Sequence, residues 1–127
     1  MFSHIMLGAD DLDAAKTFYD AVLGALGATP GRLGDNGRLL NMHDGGRFIL
    51  TRPINGKPAS CANGGTTGFR ANSTGAVDAW HAAGVTHGGA SCEDPPGVRE
   101  SGMGKLYLAY LRDPDGNKLC GVFRPQQ

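Results

Sequence analysis

Excess charge of either sign is absent: Lys and Arg number 12, Asp and Glu 12, and no run of like charge is long enough to leave an electrostatic footprint. Nucleic acid and anionic membranes are therefore not expected as partners. Long apolar runs are also missing. The longest, residues 21–28 with their glycines and residues 106–111, fall far short of the about 20 residues that span a bilayer. No positively charged leader opens the chain, and Asp10 and Asp11 interrupt any apolar core that would follow one, so a cytoplasmic location is expected. Cysteine is scarce. Cys61, Cys92 and Cys120 are odd in number and far apart, which fits reduced thiols rather than a disulfide framework or a zinc ribbon.

What the chain has in plenty is glycine, 21 of its 127 residues, the mark of many tight turns between short elements in one domain. Residues 2–7 are short, apolar and strand-forming. They stop at Gly8-Ala9-Asp10, and a helix capped by Asp11 follows, with Leu12, Ala15, Phe18, Tyr19, Val22, Leu23 and Leu26 at helical spacing up to Gly24 or Gly27. Three brief runs, at 29–33, 38–42 and 47–51, are separated by glycine turns and predict hairpin-linked strands. Residues 53–64 have the composition of a linker. Beyond it the order resumes: a strand at 66–71, a helix at 73–83 with Val77 and Trp80 inward, then strands at 85–90, 105–112 and 118–123.

Sliding the halves by 62 residues sets His4 on Thr66, Leu7 on Phe69, Asp11 on Ser73 and Phe18 on Trp80. Later, Asp44-Gly45 falls on Asp115-Gly116 once the offset has grown by about nine. Two strand-helix-strand-strand-strand modules result, residues 1–52 and 65–127. If Ile5, Leu7, Phe48, Phe69, Leu119 and Phe123 pack under the helices, alternation puts His4, Met6, Ile49, Thr66, Arg70, Lys118 and Cys120 on the opposite face, where a cup between the modules would form the site. The long polar stretch 91–104 is a candidate mobile cover.

The turn Asp113-Pro114-Asp115-Gly116-Asn117 with Lys118-Leu119 after it resembles the closing turn of the vicinal oxygen chelate superfamily, which holds glyoxalase I, extradiol dioxygenases and bleomycin-resistance proteins. The opening His4-x-x-Leu7, Asp11-Leu12, Phe18-Tyr19 and Leu23-Gly24 is similar to that superfamily's first strand and helix. The resemblance implies an α+β fold of paired βαβββ modules forming a cup-shaped mixed sheet, helices outside, and a homodimer. It also implies four metal-ligand positions, which here read His4, Ile49, Thr66 and Cys120.

Only His4 is an unambiguous ligand type, so two readings stand. One is a binder of a small molecule in the cup, without a complete metal set and not a true glyoxalase I. The other is a lyase, isomerase or dioxygenase acting on vicinal oxygens, with a divalent ion such as zinc, iron, manganese or nickel at His4, with or without Cys120. Tyr110 and Cys120 are the candidate catalytic groups. His4, Met6, Arg47, Ile49, Thr66, Arg70, Tyr110 and Cys120 are the candidate substrate contacts, with Arg47, Arg52, Arg70 and Arg99 suited to an anionic substrate. Each has a plain structural account as well: Cys120 as a small apolar residue, Tyr110 as packing, His4 as a hydrogen-bonded histidine, the arginines as solvated surface.

Overall fold

The computed structural model describes residues 1–102 and 104–125; Met103, inside the expected cover, and the last two residues of the second module lie outside the described residues. The chain runs β1 (Ile5–Gly8), α1 (Leu12–Gly24), β2 (Arg32–Leu33), β3 (Arg38–His43), β4 (Gly46–Thr51), β5 (Thr67–Arg70), α2 (Thr74–Thr86), β6 (Ala90–Ser101), β7 (Gly104–Arg112) and β8 (Lys118–Phe123). The strands form two mixed sheets, ordered β1-β4-β3-β2 and β5-β8-β7-β6, parallel only at β1/β4 and β5/β8. The fold is α+β, two βαβββ modules.

The two halves repeat in register. In β1/β4, Ile5 faces Phe48; in β5/β8, Thr67 faces Leu119, so the first strand recurs 62 residues on (Ile5 to Thr67) and the fourth 71 on (Phe48 to Leu119). Each helix starts where a short polar side chain caps it. Asp11 accepts from the amides of Asp13 and Ala14 at 3.0 and 3.1 Å, and Ser73 from that of Ala76 at 3.0 Å. The α1 positions read as apolar from spacing are buried as expected, Leu12 through Leu23.

One core joins both modules. Phe18, Tyr19 and Val22 of α1, Leu39 and Leu50 of the first sheet, and Val77, Trp80, Leu111 and Leu119 of the second module are all fully buried. Rings run through it as a chain, Phe18–Tyr19, Tyr19–Phe48 and Phe48–Phe69, with centroids 4.9, 5.0 and 5.2 Å apart. Among the described residues no helix is long and apolar enough to cross a membrane.

Two expectations are overturned. The strand expected at 85–90 is absent up to residue 89: α2 continues to Thr86, whose hydroxyl bonds back to the Ala82 carbonyl at 2.9 Å, and Gly88 at φ 101° turns the chain into β6, which starts at Ala90. Nor is 91–104 a loose polar cover. Its described residues belong almost wholly to β6, paired antiparallel with β7 from Ala90↔Arg112 to Ser101↔Gly104. Ladder hydrogen bonds to a neighbour outweigh local polarity, and the register shift between Cys92 and Gly97 makes a bulge that accommodates Pro95 and Pro96.

Candidate functional site

Alternation along β7 and β8 divides each strand between two environments. Ala109, Leu111 and Leu119 face the helices; Leu108, Cys120 and Val122 form a second apolar cluster, bordered by Leu106 and Tyr110. Cross-strand pairing stacks them as Leu108↔Val122, Tyr110↔Cys120 and Arg112↔Lys118. The first sheet carries the matching face. Met6 and Leu40 each pair with Ile49, all three half-buried, and Met42 beyond them is 52% exposed.

Polar groups border the second cluster. The Lys118 ammonium lies 4.7 Å from the centre of the Tyr110 ring and is ion-paired with Glu93. Glu93 sits in the β6 bulge in a left-handed conformation, φ 59°, uncommon for a non-glycine residue. Arg99 braces the same bulge, its Nη2 donating to the carbonyls of Asp94 and Pro95 at 3.1 and 3.0 Å. Burial pushes the Cys120 thiol up to about 11; Glu93 adds to this, and Arg124, Arg99 and Lys118 oppose it. Burial, then Cys120 and Glu93, also raise the Tyr110 phenol, so at neutral pH it is a hydrogen-bond donor.

The other candidates are placed less centrally. His4 is exposed just ahead of β1, with its Nδ1 2.7 Å from Ser3 Oγ, and Thr66 is exposed just ahead of β5. Arg47 and Arg70 line a groove of about 470 Å³ at the junction of the modules, beside Phe48 and Phe69. His81 Nε2 lies 2.9 Å from Ser91 Oγ and His87 Nδ1 2.8 Å from the Ala83 carbonyl oxygen, local contacts at either end of the turn from α2 into β6.

The donor set does not fit a divalent ion. Of the four positions the resemblance marks, Ile49 has no donor and Thr66 offers a neutral hydroxyl, which leaves His4 and Cys120, two side-chain ligands where zinc sites use three or four. Among the described residues no three His, Cys, Asp or Glu side chains gather at ligand distance.

Asp113 and Asn117 of the closing turn serve the fold. Asp113 Oδ1 accepts from the amides of Asp115 and Asn117, both at 2.9 Å, and Oδ2 from the Tyr19 hydroxyl at 2.5 Å and Asn117 Nδ2 at 2.9 Å. Asn117 Nδ2 also donates to the Gly8 carbonyl at 3.0 Å, and Asp115 accepts from the Asp10 amide at 3.0 Å. The turn thus fastens the second module to α1 and the end of β1. Glu93 was missed in the sequence because its surroundings read as a loop; two adjacent prolines between stretches able to pair were the available sign of a bulge.

Comparison with known proteins agrees with this architecture. The family model of the Glyoxalase/Bleomycin resistance protein/Dioxygenase superfamily matches residues 1–120. A crystal structure of a glyoxalase/bleomycin resistance protein from Albidiferax ferrireducens T118 is similar at 54% identity over 97% of this chain and 98% of that one, with a TM-score of 0.93. A lactoylglutathione lyase from Agrobacterium tumefaciens is similar at 26% identity over 94% and 91%, TM-score 0.64. The hypothetical protein SA1046 of S. aureus shares the fold at 19% identity over 95% and 91%, TM-score 0.74. No curated protein matches. With its two βαβββ modules in register and a family match over nearly its whole length, the chain belongs to the Glyoxalase/Bleomycin resistance protein/Dioxygenase superfamily.

Proposed function

We propose that the chain binds a small organic molecule on the helix-free faces of its sheets, through apolar walls and a few polar groups, with no metal of its own. The observation that carries this reading is the cluster of Leu108, Cys120 and Val122, buried apart from the main core with a phenol and an ion pair at its border. Apolar walls with few, fixed polar groups are what small-molecule sites are made of. Met6 and Ile49 supply the wall of the other half. Tyr110 donates to a ligand oxygen, and His4 and Thr66 contribute from just ahead of β1 and β5. Cys120 is a wall, because a thiol held to about 11 is a poor nucleophile at neutral pH. The alternative, a metal-dependent lyase or dioxygenase, is disfavoured by the donors at the marked positions. β1 and β5 are each paired on one side only, and a homodimer that covers these edges belongs to the same reading.

The test joins elemental analysis of untagged protein, purified without chelators, to a thermal-shift screen of small carboxylic acids, phenols and diketones. Metal well below one per chain is expected, together with at least one compound that raises Tm in the parent, less in Tyr110→Phe and not in Leu108→Asp. About one zinc, iron, manganese or nickel per chain, lost in both His4→Ala and Cys120→Ala, would overturn the reading.

A further inference from the structure

The groove at the module junction is a different place from the helix-free faces. Its floor is made by residues that face the core: Ile5 of β1, Leu23 and Leu26 at the end of α1, and the edge-to-face pair Phe48 and Phe69, with rings 5.2 Å apart. Its volume of about 470 Å³ lies in the range of small-molecule sites, roughly 300–1,000 Å³. Two arginines stand at its border. Arg47 and Arg70 are both exposed, and among the described residues neither has a carboxylate within ion-pair distance. Asp44, on the β3–β4 turn, is the one acidic residue in the lining, against these two guanidiniums.

We propose that this groove is a second binding site, for a small carboxylate with an aryl or branched-alkyl body. The apolar floor takes the body, since burying hydrocarbon against Leu26, Phe48 and Phe69 removes it from water. The unpaired guanidiniums at the border take the head, because their planar forks match a carboxylate. A larger polyanion finds no further lysine or arginine in the lining, only His43, and a neutral hydrocarbon leaves both arginines without an anion. The repeat supplies the pair of cations by two routes: Arg47 is the second residue of the fourth strand of the first module and Arg70 ends the first strand of the second.

The probe is 4-phenylbutyrate, titrated into the ¹⁵N-labelled 127-residue chain beside its neutral isostere 4-phenylbutanamide. Saturable binding of one molecule per chain is expected, with amide shifts centred on Leu26, Phe48 and Phe69. The amide should bind about tenfold more weakly or worse, as should 4-phenylbutyrate to the double variant Arg47→Gln/Arg70→Gln, whose Tm stays at the parent value because both side chains are exposed. Leu26→Trp, which fills the groove from a half-buried position, should abolish binding. Equal binding of acid and amide, an unaffected double variant, or shifts centred on Leu108 and Val122 would each overturn the proposal. So would shifts of the groove amides on raising protein concentration without probe, because a second copy would then be the occupant.

Discussion

At the scale of single residues, burial decides what Cys120 can do. Its thiol is 7% exposed and ionises near 11, whereas Cys61 is exposed. A thiol raised by two units presents about a hundredfold less thiolate at neutral pH. Iodoacetamide at pH 7.5 should therefore label Cys61 at least about a hundredfold faster than Cys120, as followed by peptide mass mapping; comparable rates would mean that Cys120 has an activating partner. Asp113 is a polar group kept inside because four donors meet its carboxyl oxygens. Asp113→Ala leaves the buried Tyr19 hydroxyl and the Asn117 amide without acceptors and should cost about 3 kcal/mol in urea unfolding. The residue types of this turn were legible in the sequence. The partner Tyr19 was not, because a contact across 94 residues leaves no local pattern.

At the scale of elements, α2 depends on a position without a side chain. A Cβ on Gly84 would stand 2.3 Å from Leu111 Cδ1 and 3.2 Å from Val22 Cγ1, where both helices and the second sheet meet. Gly84→Ala should lower stability by about 1–3 kcal/mol through overpacking, although alanine favours helix in isolation. Thermal unfolding measures the sign, and a rise in Tm would refute the close approach. Helix starts were readable because a cap is a local chemical event: Asp11 and Ser73 stand where their side chains are needed. The course of β6 was hidden, since its polar and proline-containing stretch becomes a strand only through its long pairing with β7.

At the scale of the whole molecule, three groups share one pH direction. Burial raises Cys120 and, with Asp113 adding to it, Tyr19; Tyr110 is raised as well. A group whose folded value is raised stabilises fully below its unfolded value and loses that contribution as pH climbs. Stability should hold up to about pH 9 and fall between pH 9 and 11, with Cys120→Val reducing the fall. Urea midpoints at pH 7 and pH 10 check this, and equal midpoints for the parent would refute it. The duplication itself was visible in sequence because period and chemistry recur together. Which faces stay open was visible only as alternation, and the groove at the junction not at all, since it is formed by the meeting of two modules.

The closing turn also sets an order of events during synthesis. Tyr19 meets Asp113 across 94 residues and Asn117 meets Gly8 across 109, so neither contact can form before residues 113–117 have emerged from the ribosome. Until then α1 holds Phe18 and Tyr19 without the second module that helps bury them. The first module therefore reaches its full burial only once the second has folded against it.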